Sequence, residues 1–333
     1  MKFALTPDLL FNTRQARQNS ELRARLEAVG QETITGRRQD VIQATNGRVG
    51  DAFLIQKAGL DITRQQDTAA LAKARLDGAA GSISAIREAI SDVSATGRTT
   101  LSQEDTDNFA LLSSKATDWL QQTMGALGRR SGTRHLFSGT NTAGGPLATS
   151  DVLQTAVTAE MAAAPSVGAA IAAIDNYFNA AGGGFETAIY QGSVSDGPRL
   201  HVTDTQSYDP IPKADDPVFR DIMRGFAMIA GATQYADDAD KLAMMEAGLD
   251  VLDQTLDGII AMETRLGASQ ESIERIEESL TREASLVAAA EDAMLGRDTF
   301  DAAAELQALE GQLEASYTVT GRLGSLSLAN FLR

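Results

Sequence analysis

Residues 259–294, IIAMETRLGASQESIERIEESLTREASLVAAAEDAM, decide how this chain folds. Ile259, Met262, Leu266, Ser269, Ile273, Ile276, Leu280, Glu283, Val287, Ala290 and Met294 follow one another at alternating steps of three and four. All but Ser269 and Glu283 are apolar. Such a repeat keeps one stripe on one side of a helix, so the stretch predicts a long helix bearing a coiled-coil seam. A seam implies partner helices, because a helix cannot bury its own stripe and an isolated one is marginal in water.

The same device recurs on either side. Downstream, Leu306, Leu309, Leu313 and Tyr317, then Leu323, Leu326, Leu328 and Phe331, mark a final helix. Upstream, Asp216-Pro217 reads as a helix start, with proline at a first-turn position that needs no N–H donor. Phe109, Leu112, Ala116, Leu120, Met124 and Leu127 form one stripe, and Leu76, Ala79, Ile83, Ile86, Ile90 and Val93 form another. Gly97 and the polar Thr99 to Asp107 segment predict a turn that folds these two helices back antiparallel. At the other end, Thr6-Pro7-Asp8 starts a helix whose face carries Leu22, Leu26 and Val29, and Thr33 to Gly36 interrupts it. Residues 37–49 read as irregular.

From residue 131 to about 215 the glycines and prolines of Gly144-Gly145-Pro146, Gly182 to Gly184 and Asp196-Gly197-Pro198 cut the chain into short pieces. Val167, Ile171, Ile174 and Phe178 suit a helix ended by Gly182. Residues 187–191 and 200–205 suit a hairpin about the Ser195 to Pro198 turn. The predicted fold is mainly α: an elongated antiparallel helical bundle or coiled coil built by both chain ends, with a small α+β outer domain inserted in the middle. Its expected segments are an N-terminal assembly helix over 1–40, a helical domain over 41–135 and 216–290, the outer domain over 136–215, and a C-terminal assembly helix over 291–333.

Composition agrees with helices packed side by side: aromatic residues make up only 5% of the chain. The net charge of -16 opposes nucleic acid and anionic membranes as partners. Residues 1–40 carry seven Lys or Arg against five Asp or Glu, whereas residues 291–333 carry three against seven, so the two ends are expected to attract. With no cysteine there is no disulfide, thiolate metal site or cysteine nucleophile. Pro7 and Asp8 interrupt the apolar start before a secretory leader develops, which makes Sec-type export an unfavoured route. Glu160 and Pro165 interrupt the Ala-rich residues 156–174, so no membrane insertion is expected there.

No catalytic constellation emerges. His135 and His201 lie far apart and outside any metal-ligand spacing. The Gly-rich Gly139 to Gly145 lacks a following Gly-Lys-Ser or Gly-Lys-Thr, so phosphate binding is not expected. Asp237, Asp238 and Asp240 lack the glycine and closing glutamate of a calcium loop and read as a helix cap. No cofactor or metal is therefore expected, and the chain reads as a structural subunit, not an enzyme. The terminal stripes, Leu22, Leu26, Val29, Leu306, Leu309, Leu313, Tyr317, Leu323, Leu326, Leu328 and Phe331, are the candidate self-assembly residues.

Three segments carry a resemblance. Leu306-Gln307-Ala308-Leu309-Glu310-Gly311-Gln312-Leu313-Glu314-Ala315-Ser316-Tyr317, continuing to Leu326-Ser327-Leu328-Ala329-Asn330-Phe331-Leu332, is similar to the closing helix of the flagellin superfamily, most of all its hook-associated protein 3 group. Arg134-His135-Leu136-Phe137-Ser138-Gly139-Thr140 resembles the Tyr-Leu-Phe-Ser/Ala-Gly-Thr with which that family leaves its helical domain. Ala214-Asp215-Asp216-Pro217-Val218-Phe219-Arg220-Asp221 resembles the return to it. The family's Ser-Asp-Asp-Pro after the first helix is missing, and Thr35-Gly36-Arg37-Arg38 runs instead into Gln39 to Gly50. The resemblance implies type III export and an extracellular place in the flagellum, at the hook-filament junction. It also implies copies of itself, another hook-associated protein, flagellin or cap-side axial proteins, and an export chaperone as partners. A flagellin filament subunit is the near alternative, and a cytoplasmic coiled-coil scaffold is the alternative from another class.

Overall fold

The computed structural model describes residues 6–102, 108–203 and 206–331. Its helices are α1 (Thr6–Thr35), α2 (Val41–Ala44), α3 (Val49–Ser102), α4 (Phe109–Leu127), α5 (Ser150–Ala163), α6 (Val167–Asn179), α7 (Pro217–Gly231), α8 (Asp238–Leu295) and α9 (Thr299–Phe331). Two short hairpins complete it: β1 (Arg130–Ser131) with β2 (Arg134–His135), and β3 (Leu200–His201) with β4 (Ser207–Tyr208). The chain is mainly α, as its periodicity predicts. It divides into two compact units, residues 65–279 and residues 1–64 with 280–333, and α3 and α8 run through both.

Within residues 65–279, every predicted position of the α3 stripe from Leu76 to Val93 is buried, as is every position of the α4 stripe. Polar pairs flank the α3–α8 seam at Lys73–Glu274, Arg87–Glu263 and Arg98–Asp250, at 2.8 to 2.9 Å. Partners rise along one helix as they fall along the other, so the two run antiparallel. The seam itself is closed here, with Ile259, Met262, Leu266, Ile273 and Ile276 all buried.

Helix α7 forms the centre of this unit. Asp216 caps it by accepting the Val218 N–H at 3.0 Å, and Pro217 occupies its first turn. Phe219, Ile222, Met223 and Phe226 are buried against α4, α5 and α6. Two glycines set the approach of α7 to α8: a Cβ at Gly225 would sit 2.9 Å from the Gly248 carbonyl, and a Cβ at Gly248 would sit 2.9 Å from that of Gly225. The two backbones therefore meet at a distance only glycine allows.

Two expectations are corrected. The predicted turn at Gly97 is continuous α3, which runs on to Ser102; residues 103–107 of that segment lie outside the described residues. Gly97 is a packing notch, not a breaker, since an added Cβ would lie 2.8 Å from Leu249 of α8. The predicted hairpin of 187–191 with 200–205 is also wrong. Phe185–Ile189 winds as a π-helical turn, Tyr190 bridges to Leu147, and Leu200–His201 pairs with Ser207–Tyr208. The stack of Phe178 on Phe185, with ring centroids 5.3 Å apart, holds the π turn against α6 and outweighs the weak strand preference of so short a segment.

Candidate assembly surface

In the unit formed by residues 1–64 and 280–333, α1 lies antiparallel on α9. Gln15 donates to Thr320 at 2.9 Å, Ser316 donates to Asn19 at 2.5 Å, and Arg23 donates to the Tyr317 hydroxyl at 2.8 Å while its guanidinium lies 5.5 Å from the centre of that ring. The contact face is narrow. Val29 and Leu309 are buried, as is Ala302, whereas Leu22, Leu26, Leu306 and Leu313 are half-buried and Tyr317 is 43% exposed. Leu323, Leu326, Leu328 and Phe331 lie in α9 outside the residues whose side chains are described.

The attraction expected between the ends is present as a charge network. Arg25 reaches Glu305 at 2.8 Å, and Arg297 bonds both Glu305 and Glu32. The bonds from Arg297 and Arg25 hold the Glu305 carboxyl below its ordinary pKa. Burial works against the charge on Arg297, but its bonds to Glu305 and Glu32 prevail and its pKa is raised. Glu32, itself buried, also accepts the Gln39 N–H at 2.8 Å.

The segment after α1 is ordered by backbone pairing. Gly36, with φ at 65°, ends α1; Arg38 N–H then donates to the Leu295 carbonyl at 2.8 Å and Arg297 N–H to the Gly36 carbonyl at 2.9 Å. Asp40 caps the short α2 by accepting the Gln43 N–H at 2.9 Å, and Asn46-Gly47 turns the chain into α3 with both residues at positive φ.

Sequence reading missed the larger part of the apolar surface. Ile34 (86% exposed), Leu286 (70%), Ile42, Phe53, Leu54, Leu60 and Phe300 all face outward in this unit. The seam of α8 opens here too: Leu280 is buried, but Val287 and Met294 are only half-buried and Ala290 is exposed. Scattered surface leucines are ordinary, but this unit leaves many large apolar side chains exposed.

The other sequence-selected residues serve local structure. His135 Nδ1 lies 2.8 Å from the Gly128 carbonyl, and His201 is exposed in β3. A Cβ at Gly139 would lie 2.5 Å from the Ser195 carbonyl, so that Gly-rich loop is closed by the chain itself. Asp237 accepts the Ala239 N–H at 3.0 Å, the cap expected of it. Among the described residues no group of His, Cys, Asp and Glu is placed to hold a metal ion, and no helix is long and apolar enough to cross a membrane.

Comparison with known proteins agrees with this architecture. Residues 249–332 match the bacterial flagellin C-terminal helical region. The fold is similar to that of FlgL from Bacillus cereus, with a TM-score of 0.53 at 14% identity over 72% of this chain and 98% of that one. It is also similar to a Vibrio parahaemolyticus protein assigned as a flagellar hook-associated protein, with a TM-score of 0.51 at 12% identity over 73% of this chain and 95% of that one. No curated protein matches the chain. The C-terminal quarter of the chain is thus similar to the flagellin C-terminal helical region, and the fold is similar to that of two flagellar proteins.

Proposed function

We propose that this chain is a structural subunit of the bacterial flagellum, a hook-associated protein that joins hook to filament by polymerising through its terminal helices. The observation that carries the reading is the open apolar surface of residues 1–64 and 280–333, where Ile34, Phe53, Leu60, Leu286 and Phe300 are mostly exposed among the described residues. Burying one such side chain contributes about 1.5–3 kcal/mol, so a few of them closing against neighbouring copies offset the cost of association. The paired stripes of α1 and α9, from Leu22 to Val29 and from Leu306 to Tyr317, form the inner assembly layer, continued by Leu323, Leu326, Leu328 and Phe331. Residues 41–135 and 216–290 are the helical domain, and 136–215 the outer domain.

On this reading the protein is exported by the flagellar type III apparatus with the help of a chaperone. It then takes its place between another hook-associated protein and flagellin, or a cap-side axial protein, outside the cell. Electron microscopy of a strain lacking the protein tests this: bare hooks with flagellin shed into the medium are expected. Missing filament with an intact junction would identify the filament subunit instead. Normal filaments in a strain whose chain lacks residues 306–333 would overturn the assembly role of the ends.

A further inference from the structure

The hairpin β1–β2 gathers positive charge. Arg129, Arg130 and Arg134 stand within six residues, and no carboxylate occurs between Asp118 and Asp151. The hairpin turns at Gly132, with φ at 60°, and sets Ser131 beside Arg134 and Arg130 beside His135. Arg75 of α3 lines the same cleft as Arg134 and His135, and Arg129 reaches back over α3 to within 3.5 Å of the Gly78 carbonyl. Among the described residues none of these four arginines lies in an ion pair; Arg220 and Arg265 of the same unit also lie in none, but they stand on α7 and α8, apart from this hairpin, whereas Arg87, Arg98, Arg199, Arg224 and Arg275 are each paired. Four uncompensated cations in a chain of net charge -16 form a surface suited to an anionic partner.

The same unit carries the complementary surface. Residues 237–257 hold Asp237, Asp238, Asp240, Glu246, Asp250, Asp253 and Asp257 against Lys241 alone. Glu246, Asp250, Asp253 and Asp257 recur at steps of four, three and four, which keeps them on one face of α8, and Arg98 pairs with Asp250 and Asp253 only. Arg75 and Arg98 stand on one continuous helix, about 35 Å apart at 1.5 Å per residue. Opposite charge therefore occupies two separate places along one unit.

We propose that Arg75, Arg129, Arg130 and Arg134 form a docking surface for the acidic start of α8 with its cap, residues 237–257, of a second copy of this chain. Unlike patches on one molecule make a heterologous, head-to-tail contact, which repeats into a ring or a helical layer. A nucleic acid or an anionic membrane would meet the repulsion of the remaining negative charge. The proposal rests on the reading of a self-assembling subunit and assigns its contact outside the terminal helices.

Because the chain has no cysteine, single thiols report the contact cleanly. Full-length Thr133→Cys chain is mixed with full-length Ala239→Cys chain under assembly conditions and oxidised. A disulfide between the two copies is expected, falling roughly tenfold or more when the first carries Arg130→Glu and Arg134→Glu. It should be regained when the second then carries Asp240→Lys and Glu246→Lys, with circular dichroism unchanged throughout. A disulfide yield unmoved by charge reversal, or binding of the unaltered arginine surface to anionic lipid vesicles in place of a second copy, would overturn the proposal. A chain lacking residues 306–333 is assayed in parallel. If that truncation abolishes assembly while charge reversal changes nothing, the docking surface falls and the subunit reading stands; if the truncated chain assembles normally, the role of the ends falls on its own.

Discussion

Helices α3 and α8 pass through both units of this protein, yet the same kind of sequence behaves differently in each. In residues 65–279 the seam is buried, α7 packs against α4, α5 and α6, and large side chains such as Phe219 and Phe226 are fully buried. In residues 1–64 and 280–333 the described elements besides α3 and α8 are α1, the short α2 and α9, and phenylalanines and leucines of comparable size face outward. A regular apolar stripe thus specifies a helix and a demand for burial, but the elements packed around it decide whether the demand is met inside one chain.

The largest expected effect breaks the closed side of the comparison. Phe226→Ala removes a fully buried ring from α7 and should lower the stability of residues 65–279 by about 3–5 kcal/mol, read as a shift in the urea midpoint. Leu309→Ala, on the narrow α1–α9 face, should cost about 2 kcal/mol, and that loss should be local. Hydrogen exchange would show α1 and α9 opening while α7 keeps its protection. Equal loss of protection in α7 would mean that the two units are not separable in stability.

A smaller effect follows from Glu305. Its carboxyl is held below the ordinary value of 4.5 by bonds from Arg297 and Arg25, so the folded state binds a proton less readily than the unfolded chain. The stabilisation is complete above that value and is lost as the pH falls through the lower, folded pKa. Acid titration followed by NMR of α1 and α9 should therefore show their pairing weaken below the ordinary carboxylate range, and Glu305→Gln should remove that pH dependence. The smallest effect on the monomer comes from the open side: Phe53→Ser and Phe300→Ser should change stability by only about ±0.5 kcal/mol, because neither ring is buried. Sedimentation should nevertheless show that both impair assembly.

The periodic parts of this architecture were legible in the sequence. From Leu76 to Val93, Phe109 to Leu127 and Ile259 to Leu280, stripes at helical spacing are buried along their apolar positions because antiparallel neighbours meet them along their length. The failures have physical causes. Gly97 reads locally as a breaker, and its role as a notch for Leu249 depends on a residue far away in the chain. The partner of Leu200–His201 was chosen by packing around the Phe178–Phe185 stack, which no short-range pattern encodes. Phe53, Leu54, Leu60 and Phe300 are not legible from periodicity, which marks one inward stripe, because these side chains are exposed. Their meaning appears only when exposure is known.

Hydrogen exchange of the unaltered chain, dilute and then assembled, tests most directly whether that open surface exists to be covered by other copies. The account predicts that α1, α9, residues 41–64 and residues 280–295 exchange readily in the dilute chain and become strongly protected on assembly, while α7 is protected in both. Protection of the terminal helices already equal to that of α7 in the dilute monomer, with no gain on assembly, would contradict it.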